Sequence, residues 1–321
     1  MNKATRLLGL IVASVLGLST LSFAQTGPSL ITEAFDEGQV AELEVSYQWQ
    51  DTGNSGITDP KIGLQLFDAQ GRWQVTQDDL GLTLGMQTTV LSISDSLTLP
   101  NSLVDHSLAL GFNIGQIDDW KVSTVLGIGY NGRSPYGDGN AKYGKANLIF
   151  SKEASDTSMW QVIVDYDGNR SFLPDVPLPS VSYSDWSNEQ FQWTLGFPYS
   201  SFTWQPTDKF ELEASAVLIY NIHVTGSYEL NENFELFASY VNRTDAFRGD
   251  NDDPSTRRVI FTQQTVELGV NWEPCNEFNL SIAAGYAFDQ EFEFGFDTQN
   301  TTKITDVSDE PFVRFAAEFK F

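Results

Sequence analysis

Phe278-Asn279-Leu280-Ser281-Ile282-Ala283-Ala284-Gly285-Tyr286-Ala287-Phe288-Asp289 is the stretch on which the fold turns. Phe278, Leu280, Ile282, Ala284, Tyr286 and Phe288 share one face, and Asn279, Ser281, Ala283, Gly285, Ala287 and Asp289 share the other. Side chains along a strand alternate with period two, so this is a strand with one greasy face and one polar or small face. It outlasts the roughly 5–6 residues usual for a strand in a soluble protein. The pattern recurs. Ala41, Leu43, Val45, Tyr47 and Trp49 oppose Glu42, Glu44, Ser46 and Gln48. Trp120, Val122, Thr124, Leu126, Ile128 and Tyr130 oppose Lys121, Ser123, Val125, Gly127 and Gly129. Phe210, Leu212 and Ala214 oppose Glu211, Glu213 and Ser215, and Ile222, Val224, Gly226 and Tyr228 oppose His223, Thr225, Ser227 and Glu229. A soluble periplasmic β-sandwich, the rival fold, would leave the charged face to water. A closed membrane barrel turns it into the lumen.

The end of the chain favours the barrel. Val313, Phe315, Ala317, Phe319 and Phe321 lie on one face of the last strand, and Arg314, Ala316, Glu318 and Lys320 on the other. Such a strand can show lipid a greasy row while pairing its free edge with the first strand, which leaves no open edge. Phe315, Phe319 and the terminal Phe321 resemble the signal by which outer-membrane barrels are read by their assembly machinery. Trp49, Trp120, Tyr130, Trp160, Tyr166, Trp193, Trp204, Tyr228, Tyr240 and Trp272 all fall on the apolar phase, many near strand ends, as aromatic girdles at two membrane interfaces require.

Connections alternate in length. Tight polar turns are expected at Gln77–Asp79, Ile117–Asp119, Ser155–Thr157, Ser187–Glu189, Pro206–Asp208, Asn231–Asn233 and Cys275–Glu277. Long polar loops are expected at Asp51–Pro60, Gly132–Ala141, Arg170–Pro177, Arg248–Thr256 and Gln290–Asp309. Short turns on one side and long loops on the other mark an up-and-down antiparallel transmembrane β-barrel of about 16 strands. Misreading a short hairpin around Pro198 or Tyr220 would lower the count to about 14 or 12.

The first residues set the compartment. Lys3 and Arg6 precede an apolar run from Leu7 to Leu21, and Ser22 and Ala24 give the small-x-small pattern of a cleavage site. That run is shorter than the roughly 20 residues of a spanning helix, so a cleaved signal peptide at 1–24 is expected rather than a retained anchor. Residues 25–38 read as a periplasmic lead-in and 39–321 as the barrel. Aromatics make up 13% of a chain whose mean hydropathy is only −0.23, as residues divided between a greasy and a wet face would give. The formal charge of −25 opposes nucleic-acid binding. The sole cysteine, Cys275, cannot form an internal disulfide.

Phe202-Thr203-Trp204-Gln205-Pro206-Thr207-Asp208-Lys209, and Gly285-Tyr286-Ala287-Phe288 running into Gln290-Glu291-Phe292, are similar to an uncharacterised family of bacterial outer-membrane β-barrel proteins, a domain of unknown function. Leu103–Asp119 and Leu173–Pro179 resemble its layout, so the likeness runs from about Lys61 to Phe321. It implies the architecture and brings no activity with it.

Catalytic chemistry finds little support. In Asp105-His106-Ser107, alternation puts His106 on the face opposite its neighbours, where it cannot relay a proton. Asp245, Asp250, Asp252 and Asp253 cluster as if in one outer loop, where oxygen-rich side chains can hold calcium, but their spacing fits no EF-hand loop and a solvated acidic loop is expected. No cofactor or metal is implied, and no enzyme is expected. The inner face is expected to carry the acids Glu42, Glu44, Asp165, Glu211, Glu213, Glu229, Glu235, Glu267 and Glu318, with His223 and the bases Lys121, Lys145, Arg243, Arg314 and Lys320. Acid in excess favours cations in a narrow passage. The expectation is a porin-like channel for small solutes or cations. A barrel-borne enzyme, or a closed structural or adhesive barrel with its charges paired, are the alternatives. Outer-membrane lipid, the assembly machinery and further copies of the chain are the expected partners.

Overall fold

The computed structural model describes residues 35, 38–52, 62–77, 79–96, 98–133, 139–218, 220–248 and 257–321. The expected signal peptide, most of the lead-in, and Asp250, Asp252 and Asp253 lie outside the described residues.

The alternating stretches are strands. In chain order they are β1 (Ala41–Gln50), β2 (Gly63–Gln74), β3 (Thr83–Ser94), β4 (Ser102–Ile117), β5 (Trp120–Gly132) and β6 (Lys142–Ser155). There follow β7 (Ser158–Asp167), β8 (Leu178–Asn188), β9 (Phe191–Phe197), β10 (Tyr199–Thr207), β11 (Phe210–Val217) and β12 (Asn221–Asn231). The last are β13 (Phe234–Arg248), β14 (Arg258–Cys275), β15 (Phe278–Gly295), β16 (Thr301–Val307) and β17 (Glu310–Lys320). Each barrel strand pairs antiparallel with its chain neighbours, and β17 returns to β1 in register from Glu42↔Lys320 to Gln50↔Phe312. The strand β16 pairs only with the upper part of β15, at residues 290–295, while the lower part of β15 pairs directly with β17. The ring is therefore a closed 16-strand antiparallel barrel with one extra strand. The hairpins at Pro198 and around Tyr220 are real, so the count of 16 stands.

The ends differ. At the near end, which holds the terminal Phe321 and the start of β1, Phe321 N donates to Ala41 O at 2.9 Å. Two-residue turns lie at this end, among them Glu189–Gln190 and Glu232–Asn233. Asn188 Oδ1 accepts from Gln190 N and Asn231 Oδ1 from Asn233 N, the side-chain turn that asparagine favours. At the far end most connections are longer, those at Pro198 and between Val217 and Asn221 being the short ones. The stretch Gln290–Asp309, expected as loop, instead holds the end of β15 and all of β16.

Wall height is uneven. The strand β9 has 7 residues and β14 has 18. At about 3.3 Å per residue and a tilt near 40°, these are walls of roughly 18 and 45 Å. The tall side is β13 to β15, and the low side β9 to β11.

Candidate functional site

One half of the interior, facing β1–β4 and β13–β17, is filled by paired charges. Arg72 on β2 donates Nε to Glu42 Oε2 at 2.9 Å, and the ring of Phe35 lies 4.3 Å from its guanidinium. On β17, Arg314 holds Glu267 of β14 through Nη2–Oε1 at 2.5 Å and Nε–Oε2 at 2.9 Å. Arg243 on β13 donates Nη1 and Nη2 to the two oxygens of Asp68 on β2, at 2.7 and 3.0 Å, and Nε to Asp245. Bidentate arginine–carboxylate geometry is the strong form of this interaction. Strands β13 and β2 are not neighbours in the ring, so the Arg243 pair is a strut across the lumen. Below it lies a cavity of about 30 Å³, lined by Glu44, His223, Glu267, Asn279, Arg314 and Glu318 among others. Glu44 accepts from Gln70 Nε2 at 2.7 Å, and His223 Nε2 lies 2.8 Å from Thr225 Oγ1.

The far end of this half is dry. Leu64, Leu66, Leu91, Ile93 and Leu103 from β2–β4 pack with Phe247, Val259, Phe261 and Phe292 from β13–β15 in one buried cluster. Phe261 and Phe292 stack with ring centroids 4.7 Å apart. Burial of side chains of this size contributes roughly 1.5–3 kcal/mol each.

The top of the β13–β14 hairpin departs from a barrel wall. A wall strand buries alternate residues, but here every residue from Arg243 to Phe247 and from Arg258 to Phe261 is buried. One face carries the apolar cluster. On the other, Asn131 Nδ2 of β5 donates to Ala246 O at 3.0 Å, and Arg248 N donates to Asn131 Oδ1 at 2.7 Å. The eighth neighbour of β13 around a 16-strand ring is β5, so the hairpin top reaches the opposite wall. Asp245, expected in a loop, is a strand residue held by Arg243.

The connection after β7 folds under the same hairpin. Arg258 donates Nη1 to Asn169 O and Arg170 O at 3.1 and 2.8 Å, Nη2 to Ser171 O at 3.3 Å, and Nε to Phe296 O at 2.9 Å. Arg248 Nη2 donates to Gly168 O at 2.9 Å. Arg170 Nη2 in turn donates to Asp165 at 2.7 Å, and Lys145 lies 3.4 Å from Asp167.

The other half of the interior is wetter along β8–β11. The inward positions Ser180, Ser182 and Ser184 of β8, Thr194 of β9, Ser201 and Thr203 of β10 and Ser215 of β11 are only half-buried. Toward the near end of this half lie Glu211 and Glu213 on one face of β11, with Glu229 and Glu235 directly opposite each other on β12 and β13. Among the described residues none of these four has an ion-pair partner, whereas Glu42, Asp165 and Glu267 do. Glu235 accepts from Asn271 Nδ2 at 2.8 Å. Lys121 stands on the near-end rim, 2.7 Å from Glu153, with both side chains exposed.

His106 faces outward, 3.1 Å from Thr88 Oγ1, while Asp105 accepts from Tyr143 OH at 2.6 Å and from Asn169 inside the barrel. Among the described residues no three His, Cys, Asp or Glu side chains gather as a metal site. On the outer face the near end carries ring pairs such as Trp160–Tyr183 at 4.8 Å and Phe278–Phe319 at 5.2 Å, and Phe321 stacks on Phe319 at 6.4 Å. Phe315 and Phe321 are exposed on that face. Tyr130, expected in the outer girdle, is buried against Val104 and Ala141 instead.

Residues 186–316 match a family described as domain of unknown function DUF6268. The match contains Phe202–Lys209 and Gly285–Phe292 and leaves the first seven strands outside. No curated protein matches the chain. Among solved structures, the chain is similar to the toluene transporter TodX of Pseudomonas putida at 10% identity, covering 94% of this chain and 95% of that one with a TM-score of 0.41. It is similar to a Pseudomonas aeruginosa FadL homologue at 12% identity, 93% of each chain and a TM-score of 0.43. The translocator domain of the Neisseria meningitidis autotransporter NalP covers 97% of each chain at 11% identity and a TM-score of 0.31. Likenesses this distant say nothing of cargo or mechanism.

Proposed function

We propose that the chain is an outer-membrane barrel through which small solutes pass by diffusion, with a preference for cations. The near end would face the periplasm and the far end the outside. The observation that carries this reading is a contrast within the interior. Paired charges and apolar packing fill most of it, while the wall of β8–β11 keeps a half-buried polar lining beside four acidic side chains that have no basic partner among the described residues. Ion pairs cancel their own field at a distance, so Glu211, Glu213, Glu229 and Glu235 set the potential of the passage. Nothing in the interior is assigned a catalytic role, because His106 and its two neighbours point to opposite faces.

Purified protein in a planar bilayer under a salt gradient tests the reading. Reversal potentials should report cation preference, and replacing Glu211, Glu213 and Glu229 by Gln together should move them toward zero. Salt should mute the difference, because the Debye length falls from about 10 Å at 0.1 M to about 3 Å at 1 M. Anion preference in the unmodified protein would overturn the charge assignment. Recovery of the chain as a soluble periplasmic protein would sink the membrane reading itself.

The dry cluster and the hairpin crossing the mouth favour a second reading, a barrel closed in its resting state. A bilayer trace without conductance steps would select it.

A further inference from the structure

We propose that the upper ends of β13 and β14, Arg243–Arg248 and Arg258–Phe261, form a hinged gate over the far mouth, latched shut by Arg248 and Arg258 onto the connection at residues 168–171. The proposal concerns regulation of the passage and rests on the channel reading, but the gate has its own readout.

Three observations carry it. The first is the hinge. Between Thr262 and Gln264 the register of β14 against β15 slips, so that Thr262 faces Glu291 and Gln264 faces Phe288. The one extra residue lies on β15, in the pair Asp289–Gln290, and Asp289 has a φ of +48°. Such a bulge bends β15, and the upper ends of β14 and β13, paired to it in turn above this point, bend with it out of the plane of the wall. Below this point residues of β14 alternate between buried and exposed, and above it both faces are buried. The wall therefore leaves the ring at the bulge and leans across the mouth.

The second observation is the chemistry of the latch. Arg258 is buried, and every hydrogen bond found for it ends on a backbone carbonyl, three of them in Asn169, Arg170 and Ser171. Thr298 N adds a further bond to Ser171 O at 3.2 Å. A guanidinium held by carbonyls fixes backbone position and needs no particular side chain on the loop. Arg248 donates to Gly168 O and to Asn140 O, the latter at 2.9 Å, and also lies 3.8 Å from the Asp175 carboxylate. Two adjacent strand-end arginines, cross-strand partners in the ladder, thus clamp three connections, those after β5, β7 and β15.

The third observation is that the covered surfaces differ in kind. The face toward β2–β4 is apolar and dry, whereas the face toward the β7–β8 connection is joined through arginines and asparagines. Once the latch parts, water can take over its hydrogen bonds, whereas water cannot replace apolar contact. The polar side is the one that releases, and the apolar side holds the hairpin to the β2–β4 wall.

The test uses the full chain with Cys275→Ser and a reporter thiol at Ala246→Cys, whose buried side chain lies on the latched, polar side of the hairpin. A membrane-impermeant maleimide is added to intact cells. With the latch intact, labelling should be at least tenfold slower than at an outward, exposed loop thiol. In Arg248→Gln/Arg258→Gln it should accelerate by about tenfold or more, and the conductance of the reconstituted protein should rise. The milder Asn131→Ala, which removes the bonds to Ala246 O and from Arg248 N, should accelerate labelling in the same direction. It serves where the double variant fails to give a heat-modifiable barrel. Unchanged labelling in a folded latch variant overturns the gate even if the protein conducts. Faster labelling without conductance in any variant keeps the gate and overturns the channel.

Discussion

Replacing Arg243 by leucine should remove a large part of the barrel's stability. Its guanidinium satisfies both oxygens of Asp68, at 2.7 and 3.0 Å, and also binds Asp245. All three side chains are buried, with relative exposures of 3%, 1% and 6%. Asp68 keeps one other partner, Thr89 Oγ1, which donates to it at 2.8 Å. Removing one member of a buried pair leaves an uncompensated charge, which costs about 3–5 kcal/mol. Here two carboxylates are stranded side by side, so the upper part of that range is expected. Replacing all three charges by neutral residues, as in Arg243→Leu/Asp68→Asn/Asp245→Asn, should recover most of the loss, because no group is then left charged and unpaired. Reversible urea unfolding in lipid vesicles, followed by tryptophan fluorescence, measures all of these on one scale. A single variant within about 0.5 kcal/mol of the parent, the size of an ordinary surface substitution, would refute the strut. So would a triple variant no more stable than the single one, since the loss would then come from lost packing rather than from stranded charge.

Deleting Phe321, or changing it to Asp, should leave the chain in periplasmic aggregates or degraded, because the ring closes the greasy row of β17; normal heat-modifiable barrel on a gel would show that this terminus has been misread. Gly269→Val should destabilise the barrel by roughly 1–3 kcal/mol in the same urea assay, because a Cβ there would overlap the ring of its cross-strand partner Phe237 and the carbonyl of Ile282. Gly285 stands in the same relation to Phe312 on β17, so Gly285→Val should behave alike, and neutrality at both sites would remove close packing as their reason for being glycine.

The ring was legible in the sequence wherever a strand meets unlike surroundings on its two faces. Phe278 to Phe288 alternates because one side faces outward and the other inward, and the pairing of β15 with β14 and β17 follows that phase. The strand β16 escaped notice for the converse reason. Thr301, Thr302, Lys303, Thr305 and Asp306 leave it no apolar face, and without one neither strand nor register has a signature. The inward hairpin had a signal that strict alternation overlooks. Val259-Ile260-Phe261 and Ala246-Phe247 are short continuous apolar runs, which mark a strand covered on both sides.

How the interior charges pair is not legible in strand alternation, and the reason is physical. Adding up acids and bases over the inner face treats the lumen as one wide, evenly lined tube. That holds only if opposite walls stay apart, and the approach of β13 to β5 shows that they do not. Once the walls meet, Arg243 finds Asp68, and Arg258 finds carbonyls 87 to 89 positions away in the chain, pairings that depend on the strand count and the bulge together. Charges that find partners this way drop out of the long-range field. Glu42 and Glu267, in the tall, packed half, are paired in this way, whereas Glu211 and Glu213, on the short strand β11 beside the low wall, have no basic partner among the described residues.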